Sequence, residues 1–118
     1  MEKIVDYAAL MSLVEHVLMA MGCPSDQAKT GATALVSADL RGIDSHGVAR
    51  LSGYVRLWEA KRVNASPNIA IIHETPSTAV MDGDQGLGLV VAPAAMDVAI
   101  SKATQVGTGW VSVSNSNH

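Results

Sequence analysis

Apolar side chains in the first sixty residues recur with the spacing of an α-helix. A first helix is predicted over residues 7–21, because its apolar positions lie three and four residues apart. These positions are Leu10, Leu13, Val14, Val17, Leu18 and Met21. Gly22 followed by Pro24 predicts the end of this helix. Ser25 is a suitable N-cap for a second helix, which runs to about Leu40.

A third helix is predicted after Gly42, the residue that ends the second helix. Asp44 or Ser45 can cap this third helix, and its apolar positions continue to about Ala60. Helices with short connections therefore make up a predicted first domain over residues 1–66.

The pattern changes beyond Arg62, where short apolar runs alternate with turn residues. An extended stretch starts at Pro67, and a second strand is predicted over residues 78–81. Residues 82–86 consist of two aspartates, two glycines and a glutamine, a composition that predicts a turn-rich loop.

One helix is predicted in this second half, with Pro93 in its first turn and Gly107 at its end. Its apolar stripe consists of Met96, Ala99, Ile100 and Ala103. A strand follows over residues 110–113, and residues 114–118 have the composition of a turn. The predicted fold class is therefore α+β, a three-helix unit followed by the start of a β-β-α-β domain over residues 67–118.

The composition narrows the class of function. The 118 residues carry a net charge of −3 without a cluster of Lys and Arg, and 3% are aromatic, which argues against nucleic-acid binding. No uninterrupted apolar run approaches the roughly 18 residues that span a bilayer, so no membrane association is expected. A single cysteine, Cys23, excludes a disulfide framework and fits a cytoplasmic location. The four histidines include no pair with metal-ligand spacing, so no metal site is expected.

His46, Arg50 and Tyr54 are the strongest candidates for chemistry. On a continuous helix their side chains lie within roughly 80° of one another, away from the apolar side. Arginine holds a carboxylate with its planar fork, and histidine exchanges a proton near neutral pH. The trio therefore suits a small 2-oxo or 2-hydroxy acid. Two other interpretations stay open, because His and Arg four residues apart often form a solvated face, and Tyr54 also suits a half-buried position.

Two further patterns indicate weaker candidates. Ser45 and His46 are contiguous, so their side chains are expected to point apart and not to form a hydrolytic triad. Gly86 and Gly88 resemble the start of a dinucleotide fingerprint, but Val91 occupies the third glycine position. A turn leading into a helix explains the two glycines equally well.

Residues 39–51 (DLRGIDSHGVARL) resemble a motif of the type 2 malate/L-lactate dehydrogenase family, which includes ureidoglycolate and sulfolactate dehydrogenases. The resemblance continues through Tyr54 and the glycine positions of residues 82–88 to residues 113–118 (VSNSNH). It covers nearly the whole chain, and its specific part is the Ser-His-Gly-Val-x-Arg run.

The resemblance implies an NAD(P)-dependent oxidoreductase with a helical substrate-side domain, a separate non-Rossmann cofactor domain and a homodimeric assembly. It implies that His46 is the acid/base residue and that Ser45, Arg50 and Tyr54 hold the substrate or the cofactor. His118 matches a second family histidine for proton transfer and is also the candidate for cofactor binding, and a strand end is a common place for catalytic residues in α/β sheets. NAD or NADP is the implied cofactor, and most of its contacts are expected beyond residue 118.

Two functions are therefore considered. The first is a 2-hydroxy acid dehydrogenase, of which this chain is the N-terminal portion and is inactive by itself, because family members are much longer. The alternative is a non-catalytic helical module for dimerisation or interaction, motivated by small residues in the second helix. These residues are Gly31, Ala32, Ala34 and Ala38.

Overall fold

Two units make up the chain, a helical one and a mixed one, and the division between them follows Lys61. The structure is a computed structural model and describes residues 3–118. The predicted boundary followed Ser66, but residues from Arg62 onward belong to the mixed unit. The reason is local pairing, because the backbone N–H of Asn64 donates to the carbonyl of Gln85 at 3.0 Å. The predicted α+β class is confirmed.

Helix α1 (Tyr7–Ala20) begins where Asp6 caps it, since the Asp6 carboxylate accepts a hydrogen bond from the backbone of Ala9 at 2.9 Å. Helix α2 (Ser25–Leu40) follows after a short connection. Its N-cap is Pro24, with φ −56° and ψ 149°, so the predicted N-cap at Ser25 is wrong. The fixed φ of proline suits the residue just outside the helix and lets Ser25 become the first helical residue.

The core of the helical unit lies where α1 packs against α2. Its side chains are at most 1% exposed: Val14, Leu18, Ala28, Ala32, Leu35 and Val36. Gly31 is buried on the same helix. Part of the small-residue surface of α2 is therefore already buried within this unit.

The predicted third helix is wrong in its first half. Residues Asp44–His46 and Val48–Arg50 form two short 3-10 turns, and helix α3 is confined to Leu51–Glu59. Neither predicted cap is used, because the residue before α3 is Arg50, which makes no side-chain cap hydrogen bond. His46 and Arg50 therefore lie on separate turns and not on one α-helix.

The mixed unit has the predicted β-β-α-β order. Strand β1 (Ala70–Glu74) pairs antiparallel with β2 (Thr78–Leu87), and β2 pairs parallel with β3 (Trp110–Asn117). Helix α4 (Gly88–Val106) connects the two parallel strands and packs on both. The sheet order is β1-β2-β3.

Both parallel strands are longer than predicted. The expected loop at residues 82–86 lies inside β2, where the pairing with β3 is irregular and Asp84 and Gln85 adopt φ of 49° and 57°. The expected turn after residue 113 continues β3 to Asn117. Polar side chains contribute to this pairing, because the side-chain amides of Asn115 and Asn117 donate across the two strands to the Asp82 carboxylate and the Gln85 carbonyl.

Helix α4 also differs from its prediction. It begins at Gly88, so Pro93 lies inside the helix and not in its first turn. Met96 and Ile100 of the predicted stripe are 59% and 55% exposed, whereas Val91 is fully buried. Gly107 ends the helix as predicted, in the left-handed conformation with φ 91°.

By length and composition α4 alone among the described residues could cross a membrane, with a mean hydropathy of 1.2. Buried helices of other proteins have the same properties. The contacts of α4 with β2 and β3 identify it as a helix that covers the sheet.

Lys102 is a buried charged residue on the sheet-facing side of α4. Its ammonium group donates to the carboxylate of Glu74 at 2.9 Å and to the carbonyl of Thr75 at 2.7 Å. These bonds attach α4 to the connection between β1 and β2. A buried charge requires such partners, so Lys102 has a structural explanation.

We expect Lys102→Met to lower the free energy of unfolding by about 1–2 kcal/mol, because both hydrogen bonds are lost while the apolar stem is kept. The estimate is at the low end because Glu74 is 57% exposed and remains solvated. Chemical denaturation of the natural full-length polypeptide measures the effect. Lys29→Met, at an exposed position of α2, is the matched control and should change stability by less than about 0.5 kcal/mol. Equal effects of the two substitutions would contradict the structural role of Lys102.

Candidate active site

Ser45 and His46 form a contacting pair on the first 3-10 turn. The Ser45 hydroxyl lies 2.9 Å from Nδ1 of His46, and both residues are exposed. The expectation that these contiguous side chains point apart is therefore wrong, because the short Ser45 side chain makes a direct hydrogen bond to the neighbouring imidazole. A hydrogen bond at Nδ1 orients the ring and leaves Nε2 as the nitrogen for proton exchange with a ligand.

Arg50 is held by the same serine. Its Nε donates to the backbone carbonyl of Ser45 at 2.6 Å. The two terminal nitrogens of the guanidinium remain suited to a bidentate contact with a carboxylate. Ser45 therefore contacts His46 through its hydroxyl and Arg50 through its carbonyl, and the structure brings these three predicted residues together.

Tyr54 does not share the exposed side of His46 and Arg50. It lies on α3 and is 9% exposed, close to the 8% of Leu51 on the same helix. The predicted one-sided trio is wrong because it assumed a continuous α-helix from residue 44, whereas two 3-10 turns change the direction of the side chains before α3 begins. The half-buried alternative for Tyr54 is closer to what is observed.

Asp39 and Gly47 belong to the same stretch of chain, although sequence reasoning assigned no role to either of them. The Asp39 carboxylate accepts the backbone N–H of Val48 at 2.8 Å. Gly47 is buried, and a Cβ built on it would collide with that carboxylate. The sequence signal was their place inside the 39–51 motif, since no local pattern connects Asp39 with Val48, nine positions further along the chain.

A cavity of about 400 Å³ also lies in the helical unit. Asp39, Asp44 and Val48 line one part of it, and residues of the N-terminal segment, α1 and α2 line the rest. Among the described residues, His46 and Arg50 are not part of its lining. The cavity adjoins the turns without coinciding with the exposed His46–Arg50 pair.

His118, the remaining predicted site residue, is exposed directly after β3. A Cβ built on Gly88, the first residue of α4, would lie 3.9 Å from the Cα of His118 and 3.1 Å from the carbonyl oxygen of Asn117. His118 is therefore next to the N-terminus of α4. Gly86 is more crowded, with a built Cβ 2.7 Å from a side-chain carbon of Pro67. Close packing thus explains both glycines and favours the turn interpretation over a dinucleotide fingerprint.

Asp82 organises the polar end of the parallel strands. Its carboxylate accepts the backbone N–H of Asp84 at 2.9 Å and the side-chain amide of Asn115 at 3.0 Å. Both hydrogen bonds lower the pKa of Asp82, because they stabilise its charged form, and the bond from the Asp84 backbone has the larger effect. Asn115 has a left-handed φ of 54°, so the contact also supports an unusual backbone position in β3.

Residues 5–118 match the family model described as malate/L-lactate dehydrogenase. The chain belongs to this family. It is 50% identical over 109 residues to a malate dehydrogenase of Pyrococcus abyssi, covering 92% of this chain and 30% of that protein. It is 45% identical over 106 residues to an L-sulfolactate dehydrogenase of Methanocaldococcus jannaschii, covering 90% of this chain and 31% of that protein.

Solved structures in the family have the same fold. The sulfolactate dehydrogenase structure from Methanocaldococcus jannaschii superposes with a TM-score of 0.95 at 42% identity, covering 98% of this chain and 34% of that chain. The family resemblance of the 39–51 motif is therefore confirmed. The chain spans about a third of the length of the relatives that it matches.

The lowered pKa of Asp82 makes the stability of the mixed unit dependent on acid pH. A carboxyl whose folded pKa is depressed contributes stability that is present above the unfolded value of 3.8 and is lost as pH falls through the folded value. We therefore expect Asp82→Asn to reduce the loss of thermal stability between about pH 5 and about pH 2. Thermal unfolding of the full-length polypeptide measures this. Asp97→Asn, on the exposed side of α4, is the control, and an unchanged pH dependence in Asp82→Asn would contradict the assignment.

Proposed function

We propose that the protein is an NAD(P)-dependent oxidoreductase that transfers a hydride between the nicotinamide and C2 of a small 2-hydroxy or 2-oxo acid. The observation that carries this proposal is the contact of Ser45 with both His46 and Arg50. The imidazole of His46, which can exchange a proton, and the guanidinium of Arg50, which can bind a carboxylate, are thus both hydrogen-bonded to Ser45. Membership of the malate/L-lactate dehydrogenase family supports the same reaction class.

Arg50 binds the substrate carboxylate with the two terminal nitrogens of its guanidinium, while its Nε stays bonded to Ser45. His46 faces the adjacent C2 oxygen. In the direction of reduction, the imidazolium of His46 donates its Nε2 proton to the carbonyl oxygen as C2 receives the hydride, and a 2-hydroxy acid forms. In the direction of oxidation, neutral His46 accepts the hydroxyl proton.

The nicotinamide cofactor supplies or accepts the hydride when it is bound. We assign His118 to the cofactor side, with proton transfer as its second role. The exposed position of His118 beside the N-terminus of α4 supports this assignment, since a helix N-terminus favours the anionic groups of a dinucleotide. The remaining cofactor contacts are proposed to come from residues beyond position 118.

Tyr54 remains a proposed contributor to substrate binding. The residue is 9% exposed, and its hydroxyl is the group that would donate a hydrogen bond to the substrate. The proposal also includes a cytoplasmic homodimer, NAD or NADP as cofactor, and inactivity of the 118 residues by themselves.

The alternative functions have less support. A helical dimerisation module was motivated by the small residues of α2, yet Gly31 and Ala32 are buried within the helical unit itself. A hydrolase based on Ser45 needs a histidine oriented by a carboxylate. Among the described residues, the hydrogen bond to the His46 side chain comes from Ser45 at Nδ1, and no carboxylate takes the orienting position.

The role of His46 is tested in the full-length protein with NADH, NADPH and a panel of 2-oxo acids that includes pyruvate, oxaloacetate and sulfopyruvate. We expect His46→Ala to lower kcat by about 10²- to 10⁴-fold, the usual contribution of a general acid. His16→Ala, at an exposed position of α1, is the matched control and should leave turnover unchanged. Turnover by His46→Ala at the rate of the unmodified protein would refute the assignment.

The role of Arg50 is tested by separating substrate binding from turnover. Arg50→Lys keeps the charge but loses the planar fork and the Nε bond to Ser45, so KM for the 2-oxo acid should rise by about tenfold or more. KM for the nicotinamide cofactor should stay unchanged. Arg56→Lys, at an exposed position of α3, is the control for replacing an arginine by a lysine and should leave both KM values unchanged. An unchanged KM for the acid in Arg50→Lys would show that the carboxylate binds elsewhere.

A further inference from the structure

Asp39 reaches from the last turn of α2 to the backbone between the two 3-10 turns. It lies one residue before the end of the helix, and its side chain is partly buried. The carboxylate oxygen Oδ2 accepts the N–H of Val48 at 2.8 Å. A charged acceptor makes a hydrogen bond to a backbone N–H roughly twice as strong as a neutral one. Asp39 therefore fixes the position at which the second 3-10 turn begins.

Gly47 completes this contact from the other side. It links the two turns with φ −92° and ψ −148°, outside the left-handed region that favours glycine. The glycine is needed for space, because a Cβ at this position would collide with the Asp39 carboxylate. The carboxylate consequently rests directly on the backbone that joins His46 to Val48.

We propose that Asp39 is a positioning residue for the site, and that Gly47 is the matching position that admits its carboxylate. Together they form a clamp, defined as the Asp39 carboxylate, Gly47 and the N–H of Val48. His46 immediately precedes the clamp, and Arg50 ends the turn that the clamp begins. The clamp thus sets the direction of both side chains. This inference rests on the proposed function for its effect on turnover.

The contact between the Asp39 carboxylate and Gly47 predicts an effect that a general loss of stability would not produce. A Cβ at residue 47 is harmful only while the carboxylate at residue 39 occupies its space. Removing the carboxylate should therefore reduce the effect of Gly47→Ala on kcat and KM. The effects of Asp39→Ala and Gly47→Ala are expected to be less than multiplicative when the two are combined.

The experiment measures kcat and KM for the four proteins of this double-mutant cycle in the full-length enzyme. Each single substitution should lower kcat by about 10- to 100-fold and raise KM for the 2-oxo acid, because His46 and Arg50 are both displaced. A smaller folded fraction would lower apparent kcat without changing KM. Asp39→Asn keeps an acceptor oxygen for Val48 and should retain most of the activity. Asp26→Ala, an exposed aspartate at the start of the same helix, should leave kcat and KM unchanged.

Hydrogen exchange of the Val48 amide provides a readout that does not depend on activity. The amide should exchange faster in Asp39→Ala than in the unmodified protein or in Asp39→Asn. If the unmodified protein shows no dehydrogenase activity, the proposed function fails, and unchanged Val48 exchange would overturn the clamp separately. If activity is present, multiplicative effects in the cycle, or normal kcat and KM in Asp39→Ala, would overturn the inference while the proposed function stands.

Discussion

The geometry of the candidate site depends on where one backbone N–H is bonded. In a continuous α-helix from residue 44, the N–H of Val48 would bond the carbonyl four residues earlier. It bonds the carboxylate of Asp39 instead. The α-helix is thereby prevented from starting before Leu51, and the preceding residues adopt two 3-10 turns. Because one acceptor replaces another, His46 and Arg50 lie on separate turns and not on one helix.

The helix ends that were predicted well are those set by neighbouring residues. Helix α1 ends at Ala20, two residues before Gly22, and α4 ends directly before Gly107, which has the left-handed conformation. Both signals act within one turn of the chain, so the sequence displays them directly. The 3-10 turns could not be predicted in the same way. Their cause is an acceptor nine residues away from Val48, which no local pattern reveals.

In the mixed unit, long-range contacts changed the outcome in two places. Asp82 is a residue type that is common in turns. Its carboxylate nevertheless accepts a hydrogen bond from Asn115 of the neighbouring strand, and β2 continues past Asp82. Helix α4 is apolar on more than one side, so periodicity could not decide which side meets the sheet. Contact with the sheet buried Val91 and the stem of Lys102 and left Met96 exposed. The order of helices and strands was predictable because it depends on the local sequence. The buried face of a helix and the length of a strand depend on the elements that pack against them.

In the candidate site, too, the choice of residues could be made from the sequence, whereas the way in which they are held in place could not. Ser45 contacts both His46 and Arg50, the residues that the family resemblance named with it, but the helical spacing offered for the His46–Arg50 pair was wrong. The observed cause is Ser45 itself, whose hydroxyl contacts the imidazole and whose carbonyl contacts the guanidinium. In a 2-oxo acid the carboxylate and the reacting carbonyl are one bond apart. A site for such a substrate must hold its two recognition groups at a fixed separation, and attachment of both groups to one residue meets that requirement with little conformational freedom left to lose on binding.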